Sequence, residues 1–201
     1  MSEDMHQVTS GFMNHILADA FGQPRGLLGR LGGILMVRSN QVVAQWVLEL
    51  LNLQPSDVIL EIGFGPGVAI QHISTQLTTG KVVGVEISEE MIAMATARNQ
   101  EAIRTGNVEL TQASVMDLPY PEHQFDVIFA INSLQLWPNP ESGLNEVYRV
   151  MQSGGTVALG FNHHARPRPN QERIVAMLNA TTFTQIRIET KDNMLCILGK
   201  R

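Results

Sequence analysis

Apolar residues along the chain follow two patterns that alternate with each other. Short continuous apolar runs are typical of parallel strands buried on both faces, whereas apolar residues spaced three and four apart are typical of helices that bury one side. This alternation predicts a mostly parallel sheet with helices between its strands. Strands are predicted at 58–62, 81–86, 108–110, 125–131 and 155–161, and helices at 43–51, 68–77, 88–104, 141–151 and 172–178.

Two further runs stand close together near the end of the sequence, at 184–188 and 194–198, joined by a Lys-Asp-Asn turn that begins at Lys191. A connection this short joins antiparallel neighbours, because parallel strands need a long crossover. The predicted fold is therefore α/β. It is a doubly wound, mostly parallel sheet of about seven strands with a C-terminal antiparallel hairpin and helices on both faces.

Residues 1–39 have a different character from the rest. They mix apolar residues with frequent glycines, which is too apolar for a disordered tail and typical of short helices joined by bends. Asn40 is a suitable N-cap for the helix that follows. We expect an N-terminal helical arm or lid over 1–39 and a main domain over 40–201. The arm is also the part from which we expect any transient contact with a membrane surface.

Composition narrows the class of protein further. The formal net charge of −5 over 201 residues is poorly suited to holding a nucleic acid backbone, so no nucleic acid partner is expected. Cys196 is the single cysteine, which excludes an internal disulfide and a Cys-rich metal site and fits a cytoplasmic location. The polar start of the sequence is unlike a signal peptide, and there is no apolar run of about twenty residues.

The sharpest chemical signal is a glycine-rich turn, Gly63-Phe-Gly65-Pro-Gly67, placed directly after a predicted strand and before a helix. Glycines at such a point let the backbone turn tightly and approach a ligand closely. A dinucleotide loop needs its third glycine where Val68 stands, and a phosphate loop needs Gly-Lys-Ser/Thr, which is absent. The turn therefore favours a nucleoside ligand without a pyrophosphate.

Three acidic residues follow or precede turns at successive strand ends. Glu61, just before the glycine turn, would repel phosphates but suits a ligand with an ammonium group. Glu86 ends the second strand, where a carboxylate can accept hydrogen bonds from both ribose hydroxyls. Asp117 follows the third strand and could accept from an adenine amino group. Each acid alone could equally be a surface carboxylate, but the three together favour one adenosine site.

Residues 58 to about 161 resemble the class I methyltransferases that use S-adenosylmethionine, in the style of the quinone-biosynthesis and phospholipid methylase branch. The resembling runs are Val58-Ile-Leu-Glu-Ile-Gly-Phe-Gly-Pro-Gly, Gly84-Val-Glu-Ile-Ser, Ala113-Ser-Val-Met-Asp-Leu-Pro, Phe125-Asp-Val-Ile-Phe-Ala-Ile-Asn-Ser-Leu and Glu146-Val-Tyr-Arg-Val-Met-Gln-Ser-Gly-Gly-Thr-Val. The resemblance implies S-adenosylmethionine as cofactor. It implies far less about the acceptor.

Carried over position by position, the resemblance implies these cofactor-binding roles. Glu61 and the backbone of the glycine turn (Gly63, Gly65, Gly67) would face the methionine part. Glu86 would hold the ribose. Ile87, Met116 and Asp117 would surround the adenine, and Asn132 would lie near the sulfonium, mostly through its backbone.

Methyl transfer from a sulfonium is an in-line displacement, so the protein mainly aligns the acceptor and excludes water. No catalytic residue can be assigned. His163 and His164 are the candidates for a base, and the alternative is that both are surface loop residues. Gln135, Trp137 and Tyr120 are candidates for an acceptor pocket, with a core position an equal alternative for the two aromatic residues.

The predicted function is methyl transfer from S-adenosylmethionine to a small-molecule acceptor, such as a lipid, a quinol or an amine. The run Asn132-Ser-Leu-Gln departs from the Asn/Asp-Pro-Pro-Tyr type of nucleobase amino methylases, which disfavours base methylation. A catalytically silent scaffold that only holds the cofactor is the alternative. A nicotinamide-dependent oxidoreductase is disfavoured by Glu61 and by the spacing at Val68.

Overall fold

The computed structural model describes residues 41–162, 165, 167 and 170–201. The strands are β1 (Val58–Ile62), β2 (Lys81–Glu86), β3 (Val108–Gln112), β4 (Phe125–Ile131), β5 (Met151–Phe161), β6 (Thr184–Lys191) and β7 (Met194–Lys200). The helices are α1 (41–51), α2 (Val68–Ser74), α3 (Glu89–Arg98), α4 (Gln100–Arg104), α5 (Pro140–Val150) and α6 (Gln171–Ala180), with a 3-10 turn at Leu134–Leu136.

The seven strands form one sheet in the order β3-β2-β1-β4-β5-β7-β6. The first five strands in this order run parallel, and β7 is antiparallel to both β5 and β6. The chain winds outward from β1 through β2 to β3, and then returns to the other side of β1 to place β4. The predicted α/β class, mostly parallel sheet and C-terminal hairpin are confirmed.

Two apolar layers cover the two faces of this sheet. Neighbouring residues of β1 point to opposite layers: Ile59 packs with α1 and α2, whereas Leu60 packs with α5 and α6. Both side chains are fully buried. Strands buried on both faces are the reason why the sequence shows continuous apolar runs rather than alternation.

The helix predicted over 88–104 is wrong as one element, because it breaks at Asn99 into α3 and α4. The side-chain amide of Asn99 donates to Ala95 O at 2.8 Å and to Gly67 O at 3.2 Å. Side chains such as Asn that bond to nearby backbone compete with the helix ladder. The predicted start is confirmed, since Ser88 Oγ accepts from Met91 N.

The fifth strand begins at Met151, earlier than the predicted Gly155. Phe125 of β4 pairs with Met151, but Val127 pairs with Thr156, so the intervening residues of β5 bulge out of the ladder. Gly154 in this bulge has φ +79°, a left-handed conformation that glycine adopts without steric cost. The residues just before the predicted strand therefore belong to it and form a bulge.

The C-terminal hairpin turns at Asp192 and Asn193, which both have positive φ (49° and 63°). Two left-handed central residues match the twist of the flanking strands, and Asp and Asn are tolerated there.

The predicted arm over 1–39 lies outside the described residues. Among the described residues, none of the helices combines the length and the apolar composition of a membrane span.

Gly84 leads to the first prediction, because β2 has no room for a side chain there. A Cβ on Gly84 would lie 2.5 Å from Phe64 Cδ1 and 2.6 Å from Ile70 Cδ1. Gly84→Ala should lower the free energy of unfolding by about 1–3 kcal/mol, since overpacking forces side chains off their rotamers. Urea unfolding would measure the change.

Gly199 on β7 is the matched control, since the nearest atoms to its added Cβ would lie at 3.4 Å, an ordinary contact. Gly199→Ala should therefore leave the urea midpoint unchanged or raise it, because a strand glycine is less stable than alanine by about 0.5–1 kcal/mol. Equal midpoints for the two variants would contradict the packing described for Gly84.

Candidate functional site

The candidate site lies at the carboxyl ends of the parallel strands, where the winding of the sheet changes direction. β1 has β2 on one side and β4 on the other, and the chain leaves β1 toward β2 but reaches β4 only after β3. In open α/β sheets, ligands bind in the crevice at this switch point. The segments after β1, β2, β3 and β4 all meet there.

The glycine turn joins β1 to α2 with three residues in left-handed conformations. Gly63, Gly65 and Gly67 have φ of +73°, +51° and +74°, respectively. L-residues with side chains rarely adopt this region, which explains the spacing of the glycines. Gly63 N donates to Val85 O at 2.8 Å, and Gly67 N donates to Phe64 O at 3.0 Å, so the turn is closed onto β2 and onto itself.

The surroundings of the three glycines differ. A Cβ on Gly63 would collide with the side chain of Ser133, and one on Gly67 would come within 2.7 Å of Ala95 Cβ. A Cβ on Gly65 would meet no atom of the described residues within 4 Å. Gly63 and Gly67 are therefore needed for packing, whereas Gly65 faces open space in the crevice.

Glu61 is a buried carboxylate beside this turn. Its side chain is only 4% exposed, and Oε2 has no hydrogen-bond partner among the described residues. Burial raises the pKa of Glu61 well above its usual 4.5, and the negative charge of Glu86 raises it further, against a backbone hydrogen bond from Ile70. A cationic group in the crevice would relieve both effects.

Glu86 links the end of β2 to the glycine turn. Its Oε1 accepts from the backbone N–H groups of Ile87 at 2.8 Å and Ser88 at 3.0 Å, and its Oε2 accepts from Gly65 N at 3.1 Å. The carboxylate is partly exposed at the crevice. Ile87 beside it is 49% exposed, a large apolar side chain left open to solvent.

Met116 and Asp117 lie in the segment after β3. Met116 N donates to Ser114 Oγ at 3.2 Å, and Asp117 N donates to Ser114 O at 3.1 Å, which makes a tight turn. The Met116 side chain packs partly against the core, whereas Asp117 is exposed. The predicted adenine-side residues are thus held on one ordered turn.

Asn132 follows β4 with φ +50°, a conformation that asparagine tolerates better than most residues. Its backbone N donates to Gly160 O at 2.8 Å, and its Oδ1 accepts from Asn162 N at 2.9 Å. Gln135 Nε2 donates to Asn132 O at 2.9 Å, while Gln135 Oε1 is buried without a hydrogen-bond partner among the described residues.

The aromatic candidates sit closer to the core. Trp137 is 7% exposed, and its indole N–H donates to Ser133 Oγ at 2.9 Å. Tyr120 is partly buried, its hydroxyl donates to Thr111 Oγ1 at 3.1 Å, and its ring packs edge-on against Phe125. His163 and His164 lie outside the described residues.

Comparison with known proteins decides the family. The family model for a methyltransferase domain matches residues 60–159, which include most of β1, all of β2 to β4 and most of β5. The chain belongs to the class I methyltransferases that use S-adenosylmethionine. An uncharacterized methyltransferase of Bacillus subtilis strain 168, YdaC, is 27% identical over 168 residues, which cover 81% of this chain and 91% of the relative.

Two further likenesses extend over most of this methyltransferase. The ubiquinone/menaquinone biosynthesis C-methyltransferase UbiE of Hydrogenovibrio crunogenus is 24% identical over 175 residues, covering 83% of this chain and 69% of the relative. A SAM-dependent methyltransferase structure from Aquifex aeolicus superposes with a TM-score of 0.65 at 20% identity, covering 78% and 88% of the two chains. The second likeness shows the shared fold.

Three residues that carry no predicted role also support the glycine turn of this methyltransferase. Arg98 Nε donates to Pro66 O at 2.9 Å, and the side chain of Asn99 donates to Gly67 O. The C-terminal end of α3 is therefore hydrogen-bonded to the backbone of the glycine turn. Ser133 packs under Gly63. Within the described residues, no group of three or more His, Cys, Asp or Glu side chains is arranged to hold a metal ion.

The raised pKa of Glu61 gives a prediction about stability. The folded protein holds this proton more tightly than the unfolded chain, so the associated stability is fully present below pH 4.5 and is lost as the pH rises through the raised pKa. Glu61→Gln removes that loss. Without cofactor, we expect its free energy of unfolding to match the unsubstituted protein near pH 4.5 and to exceed it at about pH 8.

Urea titrations at several pH values would measure this difference. Glu49→Gln, which removes an exposed carboxylate on α1, is the control for the loss of one negative charge at the surface. A Glu61→Gln variant that is less stable than the unsubstituted protein at about pH 8 would show that the buried carboxylate is compensated there.

Proposed function

We propose that this methyltransferase moves the methyl group of S-adenosylmethionine to a small acceptor of the lipid, quinol or amine type, with the cofactor along the carboxyl ends of β1, β2 and β4. Two neighbouring features support this placement of the cofactor. Glu61 is buried with its Oε2 unpartnered among the described residues, and Gly65 faces open space. A ligand that brings a positive charge and lies against the glycine backbone satisfies both.

The methionine part of the cofactor would lie over the glycine turn. Its ammonium group would pair with Glu61, whose buried carboxylate lacks a cation within the described residues. Gly63 and Gly65 would let the backbone approach, and Gly67 would hold the turn against α3. Burial strengthens such a charge pair because little water screens it.

The adenosine part would extend from Glu86 toward the segment after β3. Glu86 would accept hydrogen bonds from the ribose hydroxyls, since it already stands beside the turn through Gly65 N. Ile87, half exposed, would cover the adenine, with Met116 on its other side. Asp117 would accept from the adenine amino group.

The bound cofactor supplies an activated methyl group, and the work of this chain is to bind, orient and exclude water. Asn132, fixed by its bonds to Gly160 and Asn162, would line the reacting end of the crevice through its backbone. Gln135 Oε1 would accept a hydrogen bond from the acceptor's O–H or N–H. His163 and His164 remain the candidates to take up that proton.

The acceptor class is supported by the surface beside Gln135. Leu136, the next residue, is 47% exposed. A carbonyl oxygen without a hydrogen-bond donor among the described residues, Gln135 Oε1, therefore lies beside an exposed apolar side chain after β4. A molecule with a polar head and an apolar body fits this pair. The quinone-biosynthesis function in the name of the relative from Hydrogenovibrio crunogenus supports the quinol as the first acceptor to try.

Calorimetric titration with S-adenosylhomocysteine, S-adenosylmethionine and NADH tests the cofactor site. Glu86→Ala should weaken binding of both sulfur nucleosides by about 1–3 kcal/mol, the value of hydrogen bonds to a charged group. Glu109→Ala is the control. It removes a carboxylate that is paired with Lys81 near the amino ends of β2 and β3, away from the carboxyl ends where the cofactor is proposed to bind. Unchanged affinity in Glu86→Ala would contradict the ribose assignment.

Methyl transfer to a panel of quinols, phospholipids and small amines tests the acceptor. On an acceptor that is turned over, Gln135→Met should lower kcat/KM by about threefold to tenfold, as expected for one neutral hydrogen bond. The cofactor affinity, measured in parallel, separates this effect from the loss of the bond that Gln135 Nε2 donates to Asn132 O. Gln124→Met is the control, because Gln124 lies just before the amino end of β4, whereas Gln135 follows its carboxyl end.

The two possible failures of this panel differ in meaning. Tight cofactor binding with no turnover on any acceptor would favour the catalytically silent scaffold. An unchanged kcat/KM in Gln135→Met, on an acceptor that is turned over, would remove Gln135 from the acceptor site.

A further inference from the structure

The segment between β3 and β4 that carries Met116 and Asp117 is fastened to helix α5 by two charged side chains. Arg149 Nη1 donates to Tyr120 O at 2.8 Å, and Arg149 Nη2 donates to Leu118 O at 3.0 Å. Glu146 Oε2 accepts from Leu118 N at 2.9 Å. Both backbone polar groups of Leu118, the residue after Asp117, are therefore bonded to one pair on α5.

The pair is itself a two-bond ion pair. Arg149 Nε donates to Glu146 Oε1 at 2.7 Å, and Arg149 Nη2 donates to Glu146 Oε2 at 2.8 Å. Hydrogen bonding to Arg149 lowers the pKa of Glu146 against partial burial, so the carboxylate stays charged at neutral pH. Planar guanidinium and carboxylate groups fix each other's orientation in this geometry, which a lysine cannot reproduce.

Further contacts restrict the movement of this segment between β3 and β4. Leu118 is 2% exposed in the core, and the Tyr120 hydroxyl is bonded to Thr111. On the other side, Asp117 projects as an exposed side chain next to Leu118. The hydrogen bond to Glu146 is the main cause of the raised pKa of Arg149, and the negative charges of Glu146, Glu122 and, least of all, Asp117 raise it further.

We propose that Glu146 and Arg149 form a positioning pair that sets how this methyltransferase recognises the adenine of its cofactor. Neither residue touches the cofactor in this scheme. They act through Leu118 and Tyr120, which fix the turn that presents Met116 and Asp117. The proposal rests on the proposed function, because it takes Asp117 as the acceptor of the adenine amino group.

Selectivity for the base is the readout, because a general loss of stability would not change it. S-adenosylhomocysteine carries an amino group on C6 of its purine, and the analogue with an unsubstituted purine carries only a hydrogen there. A carboxylate acceptor favours the first by about tenfold or more, since the analogue offers no N–H for the charged hydrogen bond. Calorimetric titration gives the ratio of the two dissociation constants for each variant.

We expect Arg149→Lys and Glu146→Gln to lower this ratio toward that of Asp117→Ala. Arg104→Met is the matched control, because Glu101 and Arg104 form an ion pair of the same (i,i+3) spacing on α4, where both side chains are exposed. The control should keep the full ratio. Thermal unfolding of each variant shows whether it is folded at the titration temperature, and Glu146→Gln keeps the test usable if Arg149→Lys fails to fold.

A double variant separates positioning from independent effects. If Arg149 acts through Asp117, then Asp117→Ala with Arg149→Lys should show no lower ratio than Asp117→Ala alone. A further drop in the double variant would overturn the proposed route, as would full selectivity in folded Arg149→Lys and Glu146→Gln.

Failures of the two proposals can be told apart. No binding of S-adenosylhomocysteine by the unsubstituted protein would contradict the proposed cofactor site. Binding without preference between the two purines would overturn the role of Asp117 and, with it, the positioning pair. A preference that Asp117→Ala abolishes but Arg149→Lys keeps would overturn the positioning pair alone.

Discussion

The structure of the site depends on how the chain leaves β1. Between Ile62 and Val68 the backbone must turn from a buried strand into a helix, and it does so through three left-handed glycines. This turn leaves Gly65 against open space while Gly63 and Gly67 pack against Ser133 and Ala95. A side chain at either packed position would push β4 or α3 away, so the crevice exists because the turn is this narrow.

The same turn brings together two carboxylates. Glu86 reaches the turn through Gly65 N, and its charge adds to the burial that disfavours ionised Glu61. The described residues thus hold an acidic crevice whose natural complement is a cation. A cofactor that brings its ammonium group to Glu61, as we propose, would recover the free energy that folding gives up there, and this would couple the stability of the protein to its ligand.

Much of the fold could be predicted because strands buried on both faces appear directly as apolar runs. The β2 and β4 boundaries agree with the predicted ones, as does the cap at Ser88.

The break at Asn99 could not be predicted, since one of its partners, Gly67 O, is distant in sequence. The same reason hides Arg149, which looks like one member of a helix surface pair until the fold places Leu118 and Tyr120 beside it. For Trp137 the sequence allows either a pocket or a core position, and in the structure the side chain is buried among core residues with its indole N–H bonded to Ser133.

The sheet order has a consequence for the assembly of the protein. β1 finds β2 nearby in sequence, but its other neighbour pairs Ile59 with Val127, far along the chain. Contacts so distant in sequence close large loops and form slowly. Until β4 docks, one edge of β1 stays open and the crevice between β1 and β4 has only one wall. With the cofactor in this crevice as proposed, binding stabilises only the molecules in which β1 and β4 have paired, so cofactor present during refolding favours the assembled sheet.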